Sequence, residues 1–270
     1  MERELIERIA GARAVELSHP MTVGMPNHDS HPPYLFTPYL RYGDFALGDG
    51  YSGTNELIVM SGHSGTHLDS FAHVACHGRL YGGHDMTVEQ VGGGIAGRGI
   101  RHHGIDAVAP IVRRGVLLDV AAHRGVDVLP PAHPIDAAEL QAAAAAAGVE
   151  VGAGDCVLVR TGQGRHWDDQ ERYMGEAEGV AGITPDAGEW LVERGVFLVG
   201  SDTSVVERTA PELDTLAVHM LLLARHGVHL LENMALEQLH AEGAAQFLFL
   251  CLPLLLRGAS GSPVRAVALL

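Results

Sequence analysis

Residues 62–73 read Gly-His-Ser-Gly-Thr-His-Leu-Asp-Ser-Phe-Ala-His, which puts three histidines and an aspartate within eleven residues. His63 and His67 are four apart, as are Asp69 and His73, while His67 and Asp69 are two apart. A spacing of two puts side chains on one side of an extended chain, and a spacing of four puts them on one face of a helix. Gly65, midway, argues against a regular helix, so a strand-to-turn transition is expected to converge the set. Imidazoles with a carboxylate suit Zn²⁺, Mn²⁺ or Fe²⁺. No thiolate belongs to the set, which favours an open catalytic site over a closed structural one. A second carboxylate, Glu232, follows the apolar residues 228–231. A charge there is costly unless paired or metal-bound, so Glu232 is read as a ligand.

The composition narrows the class. The chain has 270 residues, 17 of them histidine, with 18 basic residues, all Arg, against 33 acidic ones, a net charge of −15. With no basic run, neither nucleic acid nor an anionic membrane is an expected partner. A hydrophobic fraction of 47% with 19% charged residues excludes a disordered acidic chain. Cys76, Cys156 and Cys251 are far apart and form no CxxC, so neither a disulfide framework nor a thiolate zinc site is expected. The longest apolar run, residues 247–256, contains Pro253 and is too short to span a bilayer. Residues 1–11 read as an amphipathic helix rather than a signal peptide, so a cytoplasmic location is expected.

Residues 14–18 read as a short strand. Residues 19–38 hold five prolines and are expected to form a long irregular loop whose Tyr34 and Phe36 wall a pocket. Strands are expected over residues 56–60, 114–120, 156–161, 196–201 and 228–231. Helices are expected over 134–148, with Asp136 and Gly148 as caps, over 185–195, with Pro185 in the first turn, and over 219–227. Residues 247–256 and 263–270 read as a hairpin joined by Gly-Ala-Ser-Gly. Strands alternating with helices, then pairing at the end, argue a single mixed-sheet α/β domain over residues 1–270.

The run from His63 to His73 resembles the HxGTHxDxPxH signature of the metal-dependent cyclase family of hydrolases, the family of bacterial kynurenine formamidases, isatin hydrolases and trans-dienelactone hydrolases. Other segments agree in order: Glu16-Leu-Ser-His19-Pro-Met, Gly24-Met-Pro26, Gly200-Ser-Asp202-Thr203, His219 with Glu232-Asn233, and Gly-Ser-Pro263-Val-Arg265. Phe71 stands where the family has Pro, which alters the pocket wall beside His73. Residues 78–83 look more like the family's longer members. The resemblance implies a swivelling β/β/α fold. It implies a first metal on His63, His67 and Asp69, and a second on Asp69, His219 and Glu232 with Asp69 bridging. His73 would be the acid/base. Homodimers or tetramers are implied by analogy.

The expected cofactor is Zn²⁺ or Mn²⁺, one or two per chain. A bound ion lowers the pKa of water toward about 7 and polarises a carbonyl. The expected function is hydrolysis of an amide, lactam or lactone in a small isatin-, dienelactone- or formylkynurenine-like substrate, by metal-bound hydroxide with His73 as proton shuttle. Trp167 and Phe71, with Phe36, are the candidate substrate-contacting residues. Asp202 and Thr203 are expected to satisfy backbone or to orient His219. Two other readings share the ligand set: metal-dependent cyclase or enolate chemistry, and metal binding without catalysis.

Overall fold

The computed structural model of the chain describes residues 2–91 and 99–270. Helix α1 (Arg3–Ala10) opens the chain, and β1 (Ala14–Glu16) follows. Among the described residues, strands β2 (Leu35–Leu40) and β3 (Asn55–Val59) pair only with each other, as an antiparallel hairpin. The expected loop therefore turns into a strand at residue 35. Pro38 is tolerated because this strand has only one neighbour and needs no donor on its free edge.

The main sheet adds β4 (His67–Asp69), β5 (Ile111–Asp119), β6 (Cys156–Arg160), β7 (Leu198–Ser201), β8 (His229–Glu232), β9 (Gln246–Cys251), β10 (Gly261–Pro263) and β11 (Val267–Leu269). Among the described residues its order is β1-β11-β9-β5-β6-β7-β8-β4-β10. Strands β5, β6, β7 and β8 run parallel; the flanking pairs are antiparallel. Three residues separate β10 at one edge from β11 near the other, and so short a link spans only about 10 Å. The sheet must therefore curl until its edges approach. Leu17 N donates to Ala266 O and Val264 N to Thr66 O, each at 3.0 Å, extending the two edge ladders, and His19 N donates to Thr66 Oγ1 at 3.1 Å across the seam.

Strand alternation sorts the side chains into two cores. Ile111, Leu117, Cys156, Leu158, Leu198, Leu231 and Phe249 fill the inside of the curl. Val116, Leu118, Val157, Val159, Val199 and Leu230 point outward, beneath the helices. Those helices are α2 (Ala137–Ala146), α3 (Pro185–Glu193) and α4 (Ala217–His219) with its π-helical continuation Met220–His226. As expected, Asp136 caps α2 by accepting from Glu139 N at 2.8 Å, and Pro185 starts α3. The mixed α/β architecture is the one expected.

The C-terminal hairpin is a correction. β9 and β11 do pair antiparallel, but Gly-Ala-Ser-Gly is not their turn. It leads into β10, which pairs with β4 on the opposite edge. The hydrophobic pattern could not reveal this, because a curled sheet lets adjacent short strands serve distant neighbours.

Candidate metal centre

The site is built on β4 and the turn before it. Ser64 Oγ accepts from Ser61 N at 3.0 Å, Ser61 Oγ accepts from His63 N at 3.1 Å, and Gly65 takes a φ of +59°. This turn swings His63 back over the strand. His67 and Asp69 then alternate with Leu68, which enters the inner core. Antiparallel register sets Glu232 opposite His67. His219 arrives from α4. The four-residue spacings are thus met by turn and strand, not by a helix.

His63, His67 and Asp69 form one group with ligand atoms within 4.8 Å of one another; Asp69, His219 and Glu232 form a second. Asp69 divides its oxygens between them. Oδ1 lies 2.8 Å from His63 Nδ1 and 3.7 Å from His67 Nε2, while Oδ2 lies 3.9 Å from His219 Nε2. Glu232 Oε1 is 3.1 Å from His219 Nε2, and Oε2 is 3.5 Å from His67 Nε2. Donors about 2.1 Å from a tetrahedral ion lie about 3.4 Å apart, so these spacings fit ligands around a shared cation. His63 Nδ1 and Asp69 Oδ1 meet only each other, at 2.8 Å, and Asp69 Oδ2 is buried without a hydrogen-bond partner among the described residues. Such groups are costly to bury unless a cation meets them.

The far nitrogens of the histidines are held. His67 Nδ1 donates to Gly65 O at 2.8 Å, His63 Nε2 contacts Ser260 Oγ at 2.9 Å, and His219 Nδ1 donates to Glu207 Oε1 at 2.6 Å. Each bond leaves the other nitrogen's lone pair for a ligand role. Gly261 is required beside His63, since a Cβ there would stand 2.5 Å from His63 Cε1. Asn233, at φ +56°, donates through Nδ2 to Gly65 O at 3.0 Å and accepts from Tyr173 OH at 2.8 Å. Burial opposes charge on Asp69, yet the imidazoles of His73, His63 and His67 hold its carboxyl well below the usual range. Burial likewise opposes charge on Glu232, and His219 overrides it, drawing the carboxyl down to about 2.

A cavity of about 300 Å³ opens over both groups, with His73, His31, Val74 and Met174 among its walls. The His73 ring lies 4.0 Å from the His63 ring, tilted by 31° to it, and 6.3 Å from His219. His31 comes in from the Pro-rich segment, with its ring 5.3 Å from His63. A larger cavity of about 590 Å³, walled by Val126, Pro130, Gln163 and Arg172, holds none of these ligands, so size does not mark the site.

The three aromatic candidates lie apart from the metal cavity. Phe36 sits half exposed on the β2–β3 hairpin, whose side chains are exposed along almost its whole length. Phe71 packs against the outer core and stacks on His229 at 4.0 Å. Trp167 is buried behind the site, stacked on His19 at 4.0 Å and edge-on to Tyr173. Asp202 accepts from Thr161 N, Thr161 Oγ1 and Gly162 N, and so satisfies backbone as expected. Orienting His219 falls instead to Glu207, which the sequence reading did not single out. Nothing local marks it, since its partner lies twelve positions further along the chain.

A family model described as "Putative cyclase" matches residues 15–208. The chain belongs to this family. His219 and Glu232 lie beyond the matched stretch. Among curated proteins, the kynurenine formamidase of Bacillus cereus (strain ATCC 14579) is 38% identical over 112 residues, covering 38% of this chain and 51% of the relative. That of Bordetella petrii is 41% identical over 83 residues, covering 31% of this chain and 37% of the relative. The matches thus span about half or less of these relatives' length. A crystal structure described as a novel cyclase superposes with a TM-score of 0.84 at 25% identity, covering 99% of this chain and 93% of the other. Isatin hydrolase A from Ralstonia solanacearum gives 0.73 at 24% identity, covering 99% and 96%. The fold of these structures is shared.

Proposed function

We propose that this chain is a metal-dependent hydrolase of a small amide, lactam or lactone. The observation that carries the reading is Asp69, fully buried, which aims one oxygen at each of two ligand groups and leaves Oδ2 without a hydrogen-bond partner among the described residues. The likeness to kynurenine formamidases, over part of their length, supports the amide class. A divalent ion held by these ligands supplies Lewis acidity and a water of lowered pKa.

The chain's own residues do the rest. His63, His67 and Asp69 would hold one ion, and Asp69, His219 and Glu232 a second. Glu207, Gly65 and Ser260 orient the imidazoles. His73, beside His63 at the cavity wall, is the proposed acid/base that carries a proton to the leaving nitrogen or oxygen. His31 and Met174 narrow the cavity around a small substrate. We take the ion to be Zn²⁺ or Mn²⁺, the protein to be cytoplasmic, and the assembly to be a homo-oligomer.

The test is metal content of protein purified without chelator, followed by a panel of formyl amides, cyclic amides and lactones. About two equivalents per chain, falling in a His219→Ala variant, with hydrolysis of one panel member, supports the proposal. A His73→Gln variant should keep its metal and lose about 10²–10⁴ of kcat. Two equivalents of metal with no hydrolysis across the panel would favour the enolate or non-catalytic readings. No bound metal, and no activity on adding it, would overturn the proposal.

A further inference from the structure

Strands β5, β7 and β8 begin at the same end of the curled sheet, and a second cavity of about 260 Å³ lies there. Val108, Ile111, Phe71, Phe197, His229 and Arg113 are among its walls. Side chains alternate across β8, so His229 and Leu231 face inward while Leu230 and Glu232 face outward. This cavity and the metal ligands therefore occupy opposite faces of the same strands, and the two cavities share no wall residue.

The chemistry of the walls is specific. The Arg113 guanidinium lies 3.8 Å over the Phe197 ring, and among the described residues it has no hydrogen-bond or ion-pair partner. Its neighbour Arg114, by contrast, is committed to Asp155, Glu150 O and Gln246. His229 Nδ1 donates to Asp69 O at 2.9 Å, which leaves Nε2 as an acceptor. Phe71 stacks on His229 at 4.0 Å, and Phe197 lies 5.4 Å from it. Aromatic and aliphatic walls with a planar cation and one acceptor match a flat ring bearing a carboxylate. On a chain of net charge −15, a guanidinium free of carboxylates is the kind of local group that draws an anion.

We propose that this cavity is a binding site for a small aromatic carboxylate, separate from the metal centre. The carboxylate pairs with Arg113, and the ring packs among Phe71, Phe197 and Ile111. His229 selects for a ring that carries a donor.

The test is calorimetric titration of the metal-loaded protein with benzoate, 3-hydroxybenzoate and benzyl alcohol. Benzoate should bind saturably at millimolar concentration or below, 3-hydroxybenzoate more tightly, and benzyl alcohol more weakly than either. Arg113→Gln should weaken benzoate about tenfold or more and leave metal content unchanged. Glu232→Gln should leave benzoate binding intact. In the parent protein, benzoate should shift the NMR signals of His229 and Phe197 and leave those of His31 in place, a readout that needs no variant. Unchanged affinity in Arg113→Gln, loss of binding in Glu232→Gln alone, or no saturable binding would each overturn the proposal.

Discussion

Replacing Glu207 by Gln tests whether the residues behind the ligands set the metal site. Glu207 is buried, and its carboxylate accepts three bonds: from His219 Nδ1 at 2.6 Å, His219 N at 2.8 Å and Val218 N at 3.1 Å. Glutamine keeps the shape but has one acceptor oxygen in place of two. If that oxygen stays with His219, the new amide N–H faces the Val218 N–H, two donors in contact. An unmade buried bond of this kind costs about 1–3 kcal/mol of stability. The lost charge also makes His219 a poorer donor to a cation. Changes to such orienting groups lower metal affinity about 10–100-fold, or about 1.4–2.7 kcal/mol. The loss should be selective, because His63 and His67 are oriented by Ser260 and Gly65 instead. The assay is metal stoichiometry and affinity by chelator competition, with the melting temperature measured alongside. The expected result is one ion retained, one weakened about 10–100-fold, and a lower Tm. Two ions bound with parental affinity would refute the assignment of Glu207 as the group that orients His219.

Other outcomes follow from particular contacts. Gly261→Ala places a methyl 2.5 Å from His63 Cε1, so it should displace that ring and weaken the first ion while sparing the second; metal titration checks it. Tyr173→Phe strips the bond to Asn233 Oδ1 and should lower stability by about 1–3 kcal/mol without removing metal, as thermal denaturation with metal analysis would show. Burial pushes His19 down to about 4, so the folded state resists its protonation while the unfolded chain accepts a proton near 6.5. Stability from this group is therefore full above about pH 6.5 and falls as pH drops toward about 4, losing about 2 kcal/mol between pH 7 and pH 5. His19→Gln should flatten the Tm–pH curve over that window.

The convergence of His63, His67 and Asp69 was legible because they share one short segment. His63, His67 and Asp69 lie within seven residues, so local turn chemistry and strand alternation alone bring them together. Glu232 was legible for a different reason, as a carboxylate closing an apolar strand. The caps of α2 and the Pro at the start of α3 were readable for the same local cause. Phe36, Phe71 and Trp167 were not, because aromatic character says nothing of which face a ring turns to. Phe71 stacks on His229 and packs against the outer core, and Trp167 packs on His19 behind the ligands.

The sequence by itself determined the set of candidate ligands, the mixed-sheet α/β class and the capped helices, since these depend on residue type and on spacings of a few positions. Only the tertiary structure decided that Asp69 turns one oxygen to each group, that Glu207 and Ser260 hold the far nitrogens, and that Gly261 gives His63 room. It also decided that β10 and β11, three residues apart in the chain, belong to opposite edges of one curled sheet. Each of these joins residues distant in sequence through the closure of the sheet. Closure is a property of all nine strands together in the described residues, and no local window of sequence contains it.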